Sequence, residues 1–204
     1  MQKVISIDGE PLKKVAEALS DFPNEIAPAI ASAVNKTMTS AVTQIKKEVT
    51  KEYTIKQKDV TKAIKTTRAN VKNLTAVSIA EGGQVALYKF KHTPMKPPPK
   101  QIYKQPVRVQ VKKGGGRKLA AHNGNKGFVQ SVNGANMIFA RETKERLPIK
   151  KLFALSVPQM ISDKNDSKGS ITRIKTKANE MLAKKVDQEI NYRVNKVIKK
   201  SKGG

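Results

Sequence analysis

The chain has 204 residues, with 41 Lys and Arg against 16 Asp and Glu, a formal net charge of +25, and neither Cys nor Trp. The missing cysteine excludes disulfides, thiolate nucleophiles and cysteine-ligated zinc, and an aromatic content of 4% leaves little to stack on exposed bases. A balance this basic points to a polyanion, contacted through backbone phosphate rather than bases, or to a partner with an acidic surface.

The first residues, MQKVISIDGEPLKKV, lack the apolar core of a secretory signal. No run approaches the roughly eighteen apolar residues of a membrane span. The expectation is therefore a protein that works or is assembled inside a cell, with no membrane contact. Residues 10–68 read as N-terminal helices. Pro11 suits a first helical turn. After Pro23, Ile26, Ile30, Val34, Met38, Val42, Ile45 and Val49 recur at spacings of three and four, which makes one apolar face of a long helix. Thr54 is placed to cap a shorter helix carrying Val60, Ala63 and Ile64.

Residues 71–145 read as a sheet with basic, Pro- and Gly-rich loops. LTAVSIA (74–80), Gly82-Gly83 and QVALYKF (84–90) predict a hairpin. Pro97-Pro98-Pro99 makes an extended interruption. VRVQV (107–111) alternates strictly and predicts a strand. KKGGGRKLAAHNGNKG (112–127) reads as a flexible basic loop; it lacks the residue order and following helix of a phosphate-binding loop. A further strand, Asn136 to Arg141, follows the Asn133-Gly134 turn.

Residues 146–204 read as a short helix, a linker and a basic C-terminal helix. Ser156 caps the short helix and Pro158 lies in its first turn. KNDSKGS (164–170) is a linker by composition. Ile171, Ile174, Ala178, Leu182, Val186, Ile190, Val194 and Val197 give the last helix its apolar stripe.

No acidic residue occurs between Glu81 and Glu142, an interval that holds twelve Lys and Arg. A solvated face mixes signs, so this segment is a field. Lys104, Arg108, Lys112, Lys113, Arg117, Lys118 and Lys126 are its candidates for contact with DNA phosphates or an acidic partner. Nothing in the sequence assembles a catalytic or metal site: His92 and His122 fall in predicted loops among lysines, Asp8 and Glu10 flank a turn glycine, and Ser131 and Ser156 have no evident base. The expectation is a protein that is not an enzyme and has no cofactor.

Phe128-Val129-Gln130, the Asn133-Gly134 turn, a strand ending at Arg141, then Arg146-Leu147-Pro148-Ile149 and an apolar run into Val157-Pro158, before a helix closing in VNKVIKK, together resemble the minor tail protein Z family of long-tailed phages. The alanine-rich helix APAIASAVNKTMTSAVTQIKKEV (27–49) leading to YTIKQKDVTKAI (53–64) is similar too, so the likeness runs along nearly the whole chain. Two features depart from the pattern: the Pro97–Pro99 loop, and a strand with Met137 and Phe139 where no Trp occurs.

The resemblance implies an α+β fold in one domain, 1–204: a small antiparallel sheet packed by a long N-terminal helix, a short helix after the last strand and a long C-terminal helix. It implies a virion protein of the tail and neck, assembled in the host cytoplasm, that completes the tail at its head-proximal end so that a head can join. Its partners would be the tail terminator, tail tube and head–tail connector, within a homo-oligomeric ring (a hexamer being the candidate stoichiometry) around non-specifically contacted double-stranded DNA. In this reading Pro148 ends the sheet ladder. Phe128, Ile138, Phe139, Pro148, Ile149, Leu152, Phe153, Leu155 and Pro158 are core or subunit-packing residues. The rival is a cellular basic nucleic-acid-binding protein such as a ribosomal protein, which composition alone favours. A nuclease lacks acidic metal ligands, and an adaptor binding only acidic proteins would not bind DNA even at low salt.

Overall fold

Pro23 opens the apolar stripe that organises the N-terminal half. The computed structural model describes residues 2–8, 23–98, 106–162 and 170–201, and in it helix α1 runs Pro23–Glu52 without a break. Ile30, Val34, Met38, Val42, Ile45 and Val49 are all buried, each contributing about 1.5–3 kcal/mol relative to exposure. Ala33 and Ala41 are fully buried between them and allow close packing on this face. Pro11 and the 164–169 part of the linker lie outside the described residues.

The fold is α+β, with small antiparallel sheets and long helices near both ends. It divides into two compact units, neither contiguous in sequence. Unit one holds 1–45, 64–81 and 163–204; unit two holds 46–63 and 82–162.

In unit one, strands β1 (Gln2–Asp8), β2 (Ile64–Thr67) and β3 (Thr75–Ala80) form a sheet in the order β1-β3-β2. Ala76, Ser78 and Ala80 alternate inward from β3, and Ile5 and Ile7 do so from β1. The side chain of Asn35 donates to the carbonyl of Ala69 and accepts from its N–H, both at 2.9 Å, which ties the stretch after β2 to α1. Helix α4 (Ser170–Ser201) buries Ile174, Ala178, Leu182 and Val186. It is bonded to α1 by the pairs Lys36–Glu189 and Arg193–Glu25.

Two sequence expectations change here. Ile64 starts β2 rather than continuing a helix, because the short helix α2 (Gln57–Lys62) stops at Ala63. The Gly82-Gly83 hairpin does not form: β3 pairs with β1 and β2, while β4 (Gln84–Ala86) pairs with β13 in unit two. With φ of 135° at Gly82, a conformation open to glycine, the pair serves as a passage between units.

Unit two is built from short strands. β5 (Lys91–Thr93), β6 (Arg108–Gln110) and β7 (Lys118–Leu119) form one sheet. β8 (Ala121–His122) and β9 (Asn125–Lys126) form a ribbon turned by Asn123-Gly124, at φ 48° and 76°. The expected flexible loop 112–127 is therefore largely ordered strand and turn. β10 (Phe128–Val132), β11 (Ala135–Arg141) and β12 (Ile149–Lys151) form a third sheet in that order. Its β10–β11 turn is Asn133-Gly134, at φ 49° and 75°, as the dipeptide predicts.

Pro148 does not end the ladder. Ile149 directly after it pairs with Arg141, and β13 (Phe153–Ser156) follows. A proline at the start of an edge strand loses no ladder hydrogen bond, so the sheet resumes behind it. Helix α3 (Val157–Ile161) then starts on a full capping box: Gln159 N–H donates to Ser156 Oγ, and Gln159 Oε1 accepts from Ser156 N–H at 2.9 Å.

Candidate functional site

The positive charge is concentrated in unit two. Its segments carry 22 of the 41 Lys and Arg but 5 of the 16 Asp and Glu, a net +17, against 19 and 11 in unit one. The acid-free interval is not acid-free in space, because the segment 46–63 brings carboxylates to it. Asp59 Oδ1 lies 3.0 Å from Lys89 Nζ, and Glu52 Oε1 lies 3.1 Å from Lys112 Nζ.

Lys112 is thus a structural cation. Its backbone bridges Tyr53 and its ammonium sits 5.4 Å from the centre of the Tyr53 ring. The neighbouring bonds explain the position. Lys113 N–H donates to the Glu52 carbonyl at 2.7 Å and Thr54 N–H to Val111 at 2.9 Å. The Gln110 amide donates to the carbonyls of Lys113 and Gly115 at 3.0 and 2.9 Å, which shapes the glycine turn.

The other candidates face solvent. On β6, Val107 and Val109 on either side are buried and Arg108 points out. Thr93 is the cross-strand partner of Arg108, and Arg117 Nη1 reaches the Thr93 hydroxyl at 3.4 Å. Two guanidinium groups are thereby brought to one face of the β5–β6–β7 sheet, with Lys113 and Lys118 also exposed. Lys126 is exposed on β9 and lines a groove with Arg141 and Arg146. Lys104 lies outside the described residues.

The apolar candidates separate by strand geometry. Ile138 and Leu152 are buried, and Leu152 N–H donates to the Ile138 carbonyl at 3.0 Å. Phe128 and Phe139 are half-buried cross-strand neighbours with ring centres 6.4 Å apart. Pro158 is half-buried and Pro148 exposed. Ile149, Phe153 and Leu155 are 38%, 46% and 37% exposed, so these three do not form the core of the single chain. Phe153 and Leu155 share one face of β13 because the segment is a strand of period two. Lys151 Nζ covers part of this surface, 5.3 Å from the Tyr88 ring centre and 5.7 Å from that of Phe153.

His92 is not in a loop. It is buried on β5 with Nδ1 2.8 Å from the Phe90 carbonyl. Among the described residues no cluster of three or more His, Asp or Glu is placed to hold a metal, and no helix is long and apolar enough to cross a membrane. Sequence reasoning missed Arg146 and the ion-paired state of Lys112. The second needed the fold, since Glu52 and Lys112 are far apart in the chain.

Gly127 fixes the approach to β10. A Cβ there would meet the Ala120 carbonyl oxygen at 2.9 Å and its Cβ at 3.0 Å, while Gly127 N–H donates to that same carbonyl at 2.7 Å. Gly127→Ala is expected to cost about 1–2 kcal/mol through overpacking, read as a lowered denaturant midpoint with unchanged slope.

The family described as prophage minor tail protein Z (GPZ) matches residues 12–200 of this chain. No curated protein matches it, and no solved structure does.

Proposed function

This chain belongs to the prophage minor tail protein Z family, and from that premise we propose that it completes the phage tail at its head-proximal end and makes it competent to join a head. Family membership makes it a structural protein of the virion tail. The finer reading is a homo-oligomeric ring, with six subunits as the candidate number, assembled in the host cytoplasm. Tail terminator, tail tube and head–tail connector would be its neighbours. The ribosomal reading is set aside by a family match along almost the whole chain.

The observation that carries the placement on the DNA path is the exposed set Arg108, Lys113, Arg117 and Lys118 in a unit of net charge +17. Lysine and arginine without aromatic partners suit phosphate contact that ignores sequence. Electron microscopy of lysates from a phage deleted for this gene tests the role. Full heads beside full-length unattached tails support completion, and normal infectious particles overturn it.

The DNA contact has its own test. The triple reversal Lys113→Glu, Arg117→Glu and Lys118→Glu is expected to weaken duplex binding and to reduce the slope of log affinity against log salt by up to about 2.7, at about 0.9 per phosphate. Unchanged slope and unchanged head–tail joining would remove DNA from the reading. Lys112 is left out because it is tied to Glu52 and Tyr53.

A further inference from the structure

Three consecutive glycines, Gly114, Gly115 and Gly116, stand exposed in the basic connection between β6 and β7. The fold of the chain does not require them. The turn is closed by the Gly115 N–H, which donates to the Lys112 carbonyl at 3.2 Å, and neither of its central residues, Lys113 and Gly114, has a positive φ. A turn of that kind accepts most residues. A Cβ on Gly114 or Gly116 would stand in open space, and one on Gly115 would meet the Lys112 carbonyl oxygen at an ordinary 3.5 Å. Alanine would fit all three positions without strain, and would lose less conformational entropy on folding than glycine does. Bare main chain has another use: it lets a second molecule come within hydrogen-bond reach of the backbone.

The backbone of the turn is oriented for such a contact. One nitrogen of the Gln110 amide donates to the carbonyls of Lys113 and Gly115, at 3.0 and 2.9 Å. In a trans peptide the N–H points opposite to the C=O of the same plane. Drawing both carbonyls onto Gln110 therefore turns the N–H groups of Gly114 and Gly116 away from it. Neither N–H has a partner among the described residues. The stretch from Lys112 to Lys118 contains no carboxylate, and Lys113, Arg117 and Lys118 are exposed in it. Two free donors among three exposed cations suit an anion.

The bare main chain selects among anions. A carboxylate on a flexible side chain reaches a lysine or arginine over a neighbouring Cβ. A phosphate of duplex DNA is fixed in a stiff rod, and it meets a main-chain N–H only where no side chain stands between them. The duplex backbone is thus the anion that uses both the cations and the missing side chains.

We propose that the Gly114 and Gly116 N–H groups donate to phosphate oxygens of duplex DNA, and that Gln110 is the positioning residue that aims them. This rests on the DNA reading above and adds to it a main-chain contact that carries no sequence information.

Fluorescence anisotropy of the full chain with a labelled duplex of mixed sequence, over a series of salt concentrations, tests the contact. The double variant Gly114→Ala, Gly116→Ala is expected to keep a denaturant midpoint at or above that of the parent. It is expected to bind at least about ten-fold more weakly, the scale of a lost hydrogen bond to a charged group. Its slope of log affinity against log salt is expected to match the parent's, because no cation is removed. Gln110→Ala, which releases both carbonyls, is expected to weaken binding in the same way. Parent-like affinity in either variant, or a lowered midpoint in the glycine variant, would overturn the proposal. An equal loss against polyglutamate would move the contact to an acidic protein and overturn it too. If the triple charge reversal weakens duplex binding and the glycine variant does not, this inference falls while the DNA reading stands; if neither weakens it, both fall.

Discussion

Tyr53→Ala is expected to destabilise unit two by about 3–5 kcal/mol, the range for deleting a large buried aromatic side chain. Tyr53 is fully buried, the largest such side chain in the described structure, and lies just beyond the last turn of α1. Its N–H closes that turn on Val49 at 2.8 Å, and its ring meets the Lys112 ammonium. The loss therefore joins a cavity to the release of the turn that carries Lys112 and Lys113. Tyr53→Phe keeps the ring and is expected to stay within about 1.5 kcal/mol of the parent. Chemical denaturation followed by circular dichroism reads both. A cost below about 1 kcal/mol for the alanine variant would show that the ring does not anchor the unit.

The second large effect is expected at the charge network of unit one. The Glu189 side chain is 4% exposed, with Lys36 as one partner and Arg193 Nε at 3.7 Å as the other; Arg193 also binds Glu25. Arg193→Ala leaves a buried carboxylate with one partner, Lys36, whose side chain is 56% exposed. Removing one member of a buried pair costs about 3–5 kcal/mol. The surviving, solvated Lys36 places the expected loss near the low end, at about 3 kcal/mol. Replacing both charges by apolar residues of similar volume, Glu189→Leu with Arg193→Met, is expected to recover most of it. Equal instability in the single and double variants would mean that packing, not charge, sets the cost.

How much could be read in advance follows from which forces are local. The stripe from Ile30 to Val49 was legible because helical periodicity is written along the chain, and so was the Ser156–Gln159 cap, where both partners lie within one turn. Asn133-Gly134 announced its turn, and Asn123-Gly124 carried the same signal inside a stretch that its glycines and lysines made look structureless. β12 and β13 were hidden by Pro148 and by lysines at edge positions, where side chains need no burial. The destination of β4 depended on a partner about seventy residues away in sequence, which no local pattern encodes. At the site, the exposed Arg108 was legible from alternation in VRVQV. Lys112 was not, since its carboxylate arrives from the end of α1. Glu189 sits on a helix face where apolar residues were expected, and its burial is made tolerable by Arg193 one turn along the same helix and by Lys36, which only the neighbouring helix supplies.

The way the chain is divided between the units sets an order of synthesis. Unit two is complete in sequence once residue 162 has been made, while unit one still lacks α4 and with it Glu189 and Arg193. As the chain leaves the ribosome, unit two can close first, and the face of α1 that will meet α4 waits uncovered until the last segment is released. A nascent chain stalled shortly after residue 162 would then present a folded basic unit joined to an apolar helix without its cover. Residues 170–201, which supply Glu189 and Arg193, thus reach unit one only after every residue of unit two has been made.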